Sequence, residues 1–250
     1  MRVDVVFGPP QLAPALIAGR VVAIIDVLRA STTIAVALAN GAKNMIPFES
    51  SDDVVSRSKD FERSAAKLAG ERRMLAIPGF DLGNSPVQFT REEIEGKTVL
   101  FTTTNGTGAL VAAQSSGPRD VLVASYVNFS AVLAMLRAAA RGGTDVTLLC
   151  AGREREFSLE DAACAGRYAR HISKRLANVE LNDAARAAML VDGKYRDNLR
   201  ALFADSAHGV ALAEAGFGAD LELCARIDSY PVVPVYSDRQ ITRLGPDRER

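Results

Sequence analysis

The chain has 250 residues, and its 30 Lys and Arg balance 30 Asp and Glu, so no overall field draws it to nucleic acid or to an anionic membrane. That length sustains a large α/β unit without disulfide support, and any anion it binds must be held by local groups. Cys150, Cys164 and Cys224 are odd in number and far apart, which argues against a disulfide framework and a CxxC metal knuckle. Reduced thiols and a cytoplasmic location are expected, since MRVDVVFGPP lacks the long apolar stretch of a secretory signal. No segment approaches the ~20 apolar residues of a membrane span.

In chain order, strand-length apolar runs occur as VDVVF (3–7), VVAIID (21–26), NMIPF (44–48), TVLF (98–101), VLVA (121–124) and VTLLC (146–150). Between most of them lie Ala-rich stretches with helical spacing: Thr32 to Ala39, Asp53 to Leu68, Gly108 to Ala113 and Ser130 to Ala140. The alternation predicts an α/β fold of three layers, α/β/α, around a largely parallel or mixed central sheet. Beyond Cys150 the pattern turns helical, over Ser158 to Leu176 and Asn182 to Ala225, before VVPVY (232–236) supplies a last strand. No linker divides the chain, so a single unit over 1–250 is expected, with two lobes dividing near 140–157 as the alternative and 245–250 as a frayed tail.

Several stretches could carry chemistry. In VVAIIDVLRASTTI, Asp26 ends a buried strand, the place where parallel sheets assemble sites. Arg29, Ser31, Thr32 and Thr33 follow at a helix start, a combination that suits a phosphate or sulfonate but also reads as an ordinary cap. Leu28 stands where a haloacid-dehalogenase phosphatase carries its second Asp, which argues against an aspartyl-phosphate mechanism of that kind without excluding every variant. GFDLGNSP (79–86) is a stiff polar loop with Asn84 and Ser85, and upstream lies Gly70-Glu71-Arg72.

FTTTNGTGAL (101–110) is again strand, polar loop and helix. Thr104, Asn105, Gly106 and Thr107 could hold an anion, the glycines letting backbone approach a ligand closely. It lacks the Lys of a P-loop, so nucleoside triphosphates are not indicated. In FSLEDAACAG, Ser158 reads as an N-cap, with Glu160 and Asp161 favouring the helix dipole. Alternatively those carboxylates join Asp26 as hard oxygen ligands for Mg²⁺. His171 and His208, the only histidines, signal no base or metal pair by spacing.

Taken in order, IDVLRASTTI, GER, GFDLGNSP, TTTNGT, FSLEDAACAG and SAHGVAL with LELCARID resemble the 2-phosphosulfolactate phosphatase family of coenzyme M biosynthesis. The family's Gly-Gly-Glu-Arg appears here as Ala69-Gly70-Glu71-Arg72. The resemblance implies a Mg²⁺-dependent phosphomonoesterase that acts on a small anionic phosphoester, producing sulfolactate and phosphate, in a fold unlike haloacid dehalogenases.

On this reading Asp26, Glu160 and Asp161 supply the metal ligands and, with Arg29, the catalytic groups. Ser31, Thr32, Thr33, Thr104, Asn105, Gly106 and Thr107 bind phosphoryl and acid oxygens, and Arg72, Asn84 and Ser85 the second anionic group. The alternatives are a non-catalytic anion-binding or regulatory domain and a covalent aspartyl-phosphate phosphatase using Asp26. A homodimer is compatible with the helix-rich surface.

Overall fold

The computed structural model describes residues 1–114, 116–154, 156–174, 176 and 178–245. Strands β1 (Arg2–Val6) and β2 (Val21–Ile25) lead through the loop 26–29 into helix α1 (Ala30–Ala39), followed by β3 (Asn44–Pro47) and α2 (Ser51–Ser58). Next come β4 (Ala66–Arg72), β5 (Leu75–Ala76), α3 (Arg91–Ile94), β6 (Thr98–Thr102), α4 (Gly106–Gln114), β7 (Asp120–Ala124), α5 (Phe129–Arg141), β8 (Val146–Cys150) and α6 (Leu159–Ser173). Then follow β9 (Glu180–Leu181), α7 (Asp183–Tyr195), α8 (Leu199–Asp205), α9 (Ala207–Glu214), α10 (Gly218–Cys224), β10 (Pro234–Ser237) and β11 (Gln240–Arg243).

Among the described residues the strands form a mixed sheet in the order β5-β4-β6-β3-β11-β10-β7-β2-β8-β1-β9. The layers are α/β/α, and the alternation of side chains along the central strands shows why. Val21, Ala23 and Ile25 of β2 enter the core shared with α5 and α6, while Val22 and Ile24 enter the core shared with α1 and α4. A strand buried on both faces reads as one continuous apolar run, as VVAII does.

β4, β6 and β3 pair in parallel, and so do β7, β2, β8, β1 and β9. The β10–β11 hairpin joins the two blocks through antiparallel pairs with β7 and β3, so the blocks run in opposite directions. Helix α1 packs against β3, β7, β10 and β11, and every residue from Ala30 to Leu38 is buried. A helix enclosed on all sides carries no amphipathic stripe, which fits the all-apolar IAVAL. The segments that follow β2 and β6 meet, Gly106 lying against Asp26 and Ala30.

One predicted helix is corrected. Asp53 to Leu68 is helical only through Ser58, and β4 begins at Ala66. Its sequence, AKLAGER, has weak strand propensity, but pairing with β6 from Ala66 to Gly70 overrides it. A Cβ at Gly70 would run into the Thr102 carbonyl oxygen, so close backbone approach demands glycine there, while the preceding position accepts the buried Ala69.

The two-residue strands β5 and β9 carried too few residues to be read from sequence, and β11, QITR, has no apolar run to mark it. Strands β9 to β11, from beyond residue 157, join the same sheet as the earlier ones. The expected frayed tail, 245–250, lies outside the described residues except for Gly245. Among the described residues no helix is long and apolar enough to cross a membrane.

Candidate active site

Asp26 sits at the end of β2 with 5% of its surface exposed. Its amide donates to Ser31 Oγ at 2.9 Å, and Ser31 Oγ donates to the Ile24 carbonyl. Thr32 Oγ1 donates to the Val27 carbonyl and shares a hydrogen bond with Ser125 Oγ, while Thr33 Oγ1 donates to the Asn84 carbonyl. The three hydroxyls expected to meet substrate therefore shape the loop, and none of them lines the cleft. Buried hydroxyls find partners, and here the nearest carbonyls supply them.

The Asp26 carboxylate accepts the Ala30 amide at Oδ1 (3.3 Å), and its Oδ2 lies against Gly106 at the start of α4. Burial pushes its carboxyl up to about 6, and His208 and the Ala30 amide pull it down, while Glu71 and Glu160 add to the rise. Glu160 is 2% exposed, and its Oε1 is 3.5 Å from His208 Nδ1.

Asp161 behaves differently. Ser158 Oγ caps α6 by accepting the Asp161 amide, as the sequence suggests. The Asp161 carboxylate in turn accepts the Val27 amide at Oδ1 (2.8 Å) and the Gly152 amide at Oδ2 (3.1 Å). It thus ties α6 to the loops after β2 and β8. Burial raises its pKa well above the ordinary carboxylate range, with Asp26 and Glu160 adding to the shift.

A cleft of about 200 Å³ opens over Asp26, lined also by Leu28, Arg29, Glu71, Arg73, Met74, Asn84, Thr103, Thr104, Asn105, Arg153, Glu154 and His208. A larger cavity of about 560 Å³, mostly apolar, lies at the opposite strand ends near Val21 and Asp120. Of these two, the smaller gathers the converging polar groups, Asp26 at the end of β2 among them, and is the candidate site.

Arg29 lines the cleft but is already paired: Nη1 donates to Asp220 Oδ2 at 2.6 Å, Nη2 donates to the Met74 carbonyl, and the guanidinium lies 4.3 Å from the Phe217 ring centroid. Ser85 Oγ donates to the other oxygen of Asp220, so Ser85 too is occupied. Arg72 turns away, donating to the carbonyls of Glu71 and Glu49 and to Thr102 Oγ1. Asn84 does line the cleft, and its buried Oδ1 has no partner among the described residues.

Thr104 and Asn105 reach the cleft, the former donating its amide to Glu71 Oε1 and the latter accepting the Glu154 amide. Thr107 instead bonds back to Thr103 and steadies the first turn of α4. Gly106 is needed for a reason other than ligand approach: a Cβ there would lie 2.9 Å from Asp26 Oδ2.

Among the described residues no group of three or more His, Cys, Asp or Glu is disposed to hold a metal ion, so Asp26, Glu160 and Asp161 do not converge as a triple ligand set. The physical reason is that Asp161 spends its oxygens on backbone amides. Mg²⁺ needs only one or two carboxylates beside water and phosphate oxygens. Asp26, which lines the cleft, fits that requirement, and Glu160 is a buried carboxylate near enough to add to the rise of the Asp26 pKa, facing His208 and not itself part of the cleft lining.

Comparison with known proteins bears on what such a cleft is for. A family profile described as 2-phosphosulpholactate phosphatase matches residues 9–239. The chain belongs to the 2-phosphosulfolactate phosphatase family. A relative from Symbiobacterium thermophilum is 39% identical over 228 residues, covering 91% of this chain and 96% of its own. Relatives from Caldanaerobacter subterraneus (37%, 85% of this chain and 86% of theirs) and Thermotoga maritima (36%, 93% and 94%) are similar over almost as much. All three are named probable 2-phosphosulfolactate phosphatase.

Within this 2-phosphosulfolactate phosphatase family fold, sequence reasoning left Glu71 open between the cleft and solvent, and it missed Arg73, Met74, Thr103, Arg153, Glu154, His208 and Asp220 as parts of the site or its frame. For Glu71 and His208 a signal existed, since both fall in the resembling stretches Gly70-Glu71-Arg72 and SAHGVAL. Asp220 had none, because only the packing of α10 brings it 2.6 Å from Arg29.

Proposed function

We propose that this chain is a cytoplasmic, Mg²⁺-dependent phosphomonoesterase releasing phosphate from a small, multiply acidic phosphoester of the 2-phosphosulfolactate type. The observation that carries this reading is the Asp26 carboxylate at the end of β2, set against the N-terminus of α4 in a small polar cleft. The names of the relatives support the substrate class.

Asp26 and Glu160 are the residues that would hold the ion. When bound, Mg²⁺ offsets phosphoryl charge and lowers the pKa of water. The chain's own groups do the rest. Amides at the start of α4, a nine-residue helix, favour phosphoryl oxygens, and the Thr104 hydroxyl adds a donor. Arg29, fixed by Asp220, keeps a positive charge at the cleft wall without reorganising during the reaction. Glu71 accepts the amides of both Met74 and Thr104, so the β4–β5 turn and the threonine loop form one rigid wall. A cleft of about 200 Å³ suits a substrate of a few carbon atoms and is small for a nucleotide.

The test is phosphate release from a panel of phosphorylated hydroxy-acids, with and without Mg²⁺. Metal-dependent release that Asp26→Asn lowers by roughly two orders of magnitude or more is expected. A folded Asp26→Asn protein with near-normal Mg²⁺-dependent turnover sinks the assignment.

A further inference from the structure

The cleft walls hold more fixed charge than the proposed chemistry uses. Of its basic side chains, Arg29 is paired with Asp220, and His208 faces Glu160. Arg73 and Arg153 line the cleft from two different loops, and neither guanidinium has an ion pair or side-chain hydrogen bond among the described residues. Asp26, Glu71 and Glu154 stand in the same walls. A multiply charged anion would be repelled there unless unpaired cations met it.

The backbone under Arg73 is held against its preference. Arg72 pairs with Leu75 across β4 and β5, leaving Arg73 and Met74 as a two-residue hairpin turn with φ of 50° and 71°. Such turns favour Asn-Gly, because a larger side chain is strained where φ is positive. Met74 has an evident task, donating its amide to Glu71 and offering its carbonyl to Arg29. Arg73 has no such contact. Its place in the turn makes Arg73, although exposed, part of the cleft lining, and strain retained at a site points to function.

Arg153 is flanked by Gly152 (φ 72°) and Glu154 (φ 52°), so its loop is also bent through left-handed backbone. Asn84, 5% exposed, belongs to the same lining, and its buried Oδ1 has no partner among the described residues. A buried amide oxygen left unsatisfied in a lining that also holds two guanidiniums without ion pairs marks a polar ligand position.

We propose that Arg73 and Arg153 bind the acid groups at the non-phosphoryl end of the substrate, so that the cleft selects small phosphoesters carrying two further anionic groups. A carboxylate suits a bidentate guanidinium, and a sulfonate offers oxygens of the same kind. The inference rests on the phosphomonoesterase reading above and reassigns to Arg73 and Arg153 the role that the sequence suggested for Arg72.

The experiment compares the wild type with Arg73→Ala, Arg153→Ala and the matching Lys variants on three substrates. These are 2-phosphosulfolactate, 2-phospholactate (the same ester without the sulfonate) and p-nitrophenyl phosphate. Each Ala variant should raise KM for 2-phosphosulfolactate about tenfold or more, more than it lowers kcat, with Lys recovering only part. The penalty should shrink as acid groups are removed from the substrate, and for one arginine it should vanish already with 2-phospholactate. Equal penalties on all three substrates, or none, overturn the inference. Calorimetric titration with sulfolactate separates the two claims. Binding that both variants weaken, in a protein with no turnover, keeps the inference and sinks the phosphatase reading; absence of sulfolactate binding to the wild type sinks the inference.

Discussion

Gly106 stands so close to Asp26 that a methyl group on its Cα would lie 2.9 Å from Asp26 Oδ2 and 2.7 Å from the Ala30 side chain. Replacement by alanine must displace the carboxylate, the helix start or both. Gly106→Ala is therefore expected to lower kcat/KM for phosphate release by about 100-fold or more, since small misplacements of reacting groups have that effect. Gly108→Ala, two residues further along the helix with open space about it, serves as the control and should leave stability unchanged or raised by up to about 1 kcal/mol. Equal activity of the two variants would remove Gly106 from the site.

The buried pair of Arg29 and Asp220, 2% and 1% exposed at the side chain, predicts a coupled loss of stability and activity. Asp220→Ala leaves a guanidinium buried without its counter-charge, at a cost of about 3–5 kcal/mol. For a chain of this size that lowers Tm by roughly 10 °C or more. Phosphate release should fall as well, although Asp220 does not line the cleft, because Arg29 and Ser85 both lose their fixed partner. Scanning calorimetry and kinetics on the same preparation check both halves.

The carboxyl of Asp26 is raised from 3.8 to about 6 in the folded, metal-free protein, chiefly by burial. Between those values the folded state holds a proton that the unfolded state has lost. The stabilisation it brings is complete below about pH 4 and is lost as pH rises through about 6. A shift of about 2 units corresponds to about 3 kcal/mol. With Mg²⁺ chelated, Asp26→Asn should thus be more stable than wild type at pH 8 by up to about 3 kcal/mol, and the advantage should disappear near pH 4. Urea unfolding at the two pH values measures it.

Glu160 and Asp161 are adjacent in sequence yet predict opposite phenotypes. Glu160→Gln should raise the Mg²⁺ concentration needed for half-maximal activity, with little change in Tm. Asp161→Asn loses an acceptor for the Val27 or Gly152 amide and should lower stability by about 1–3 kcal/mol. The Mg²⁺ requirement of its residual activity should stay near that of the wild type. A Mg²⁺ titration of each variant, set beside its melting curve, distinguishes ligand from loop tie.

Much of the frame was legible because its signals are local. VVAII is apolar at every position and must be buried on both faces, so Asp26 at its end was bound to lie where a doubly covered sheet opens. Ser158 preceding Glu160 and Asp161 marked the start of α6, since a capping hydroxyl acts on an amide three residues away. AKLAGER, by contrast, carries helical preference and became β4 only because β6 lies beside it.

The sequence alone determined the α/β layering, the position of Asp26 and the chemical character of the threonine loop, all of which depend on neighbours a few residues apart. The tertiary structure alone decided which groups face the cleft. Ser31, Thr32, Thr33, Arg72 and Ser85 have donors of the right kind, but each meets a protein acceptor first. Arg73, Arg153 and His208, from segments far apart in the chain, are left in the cleft walls. Hydrogen-bonding capacity is written in the residue type, whereas its partner is set by packing across the whole fold.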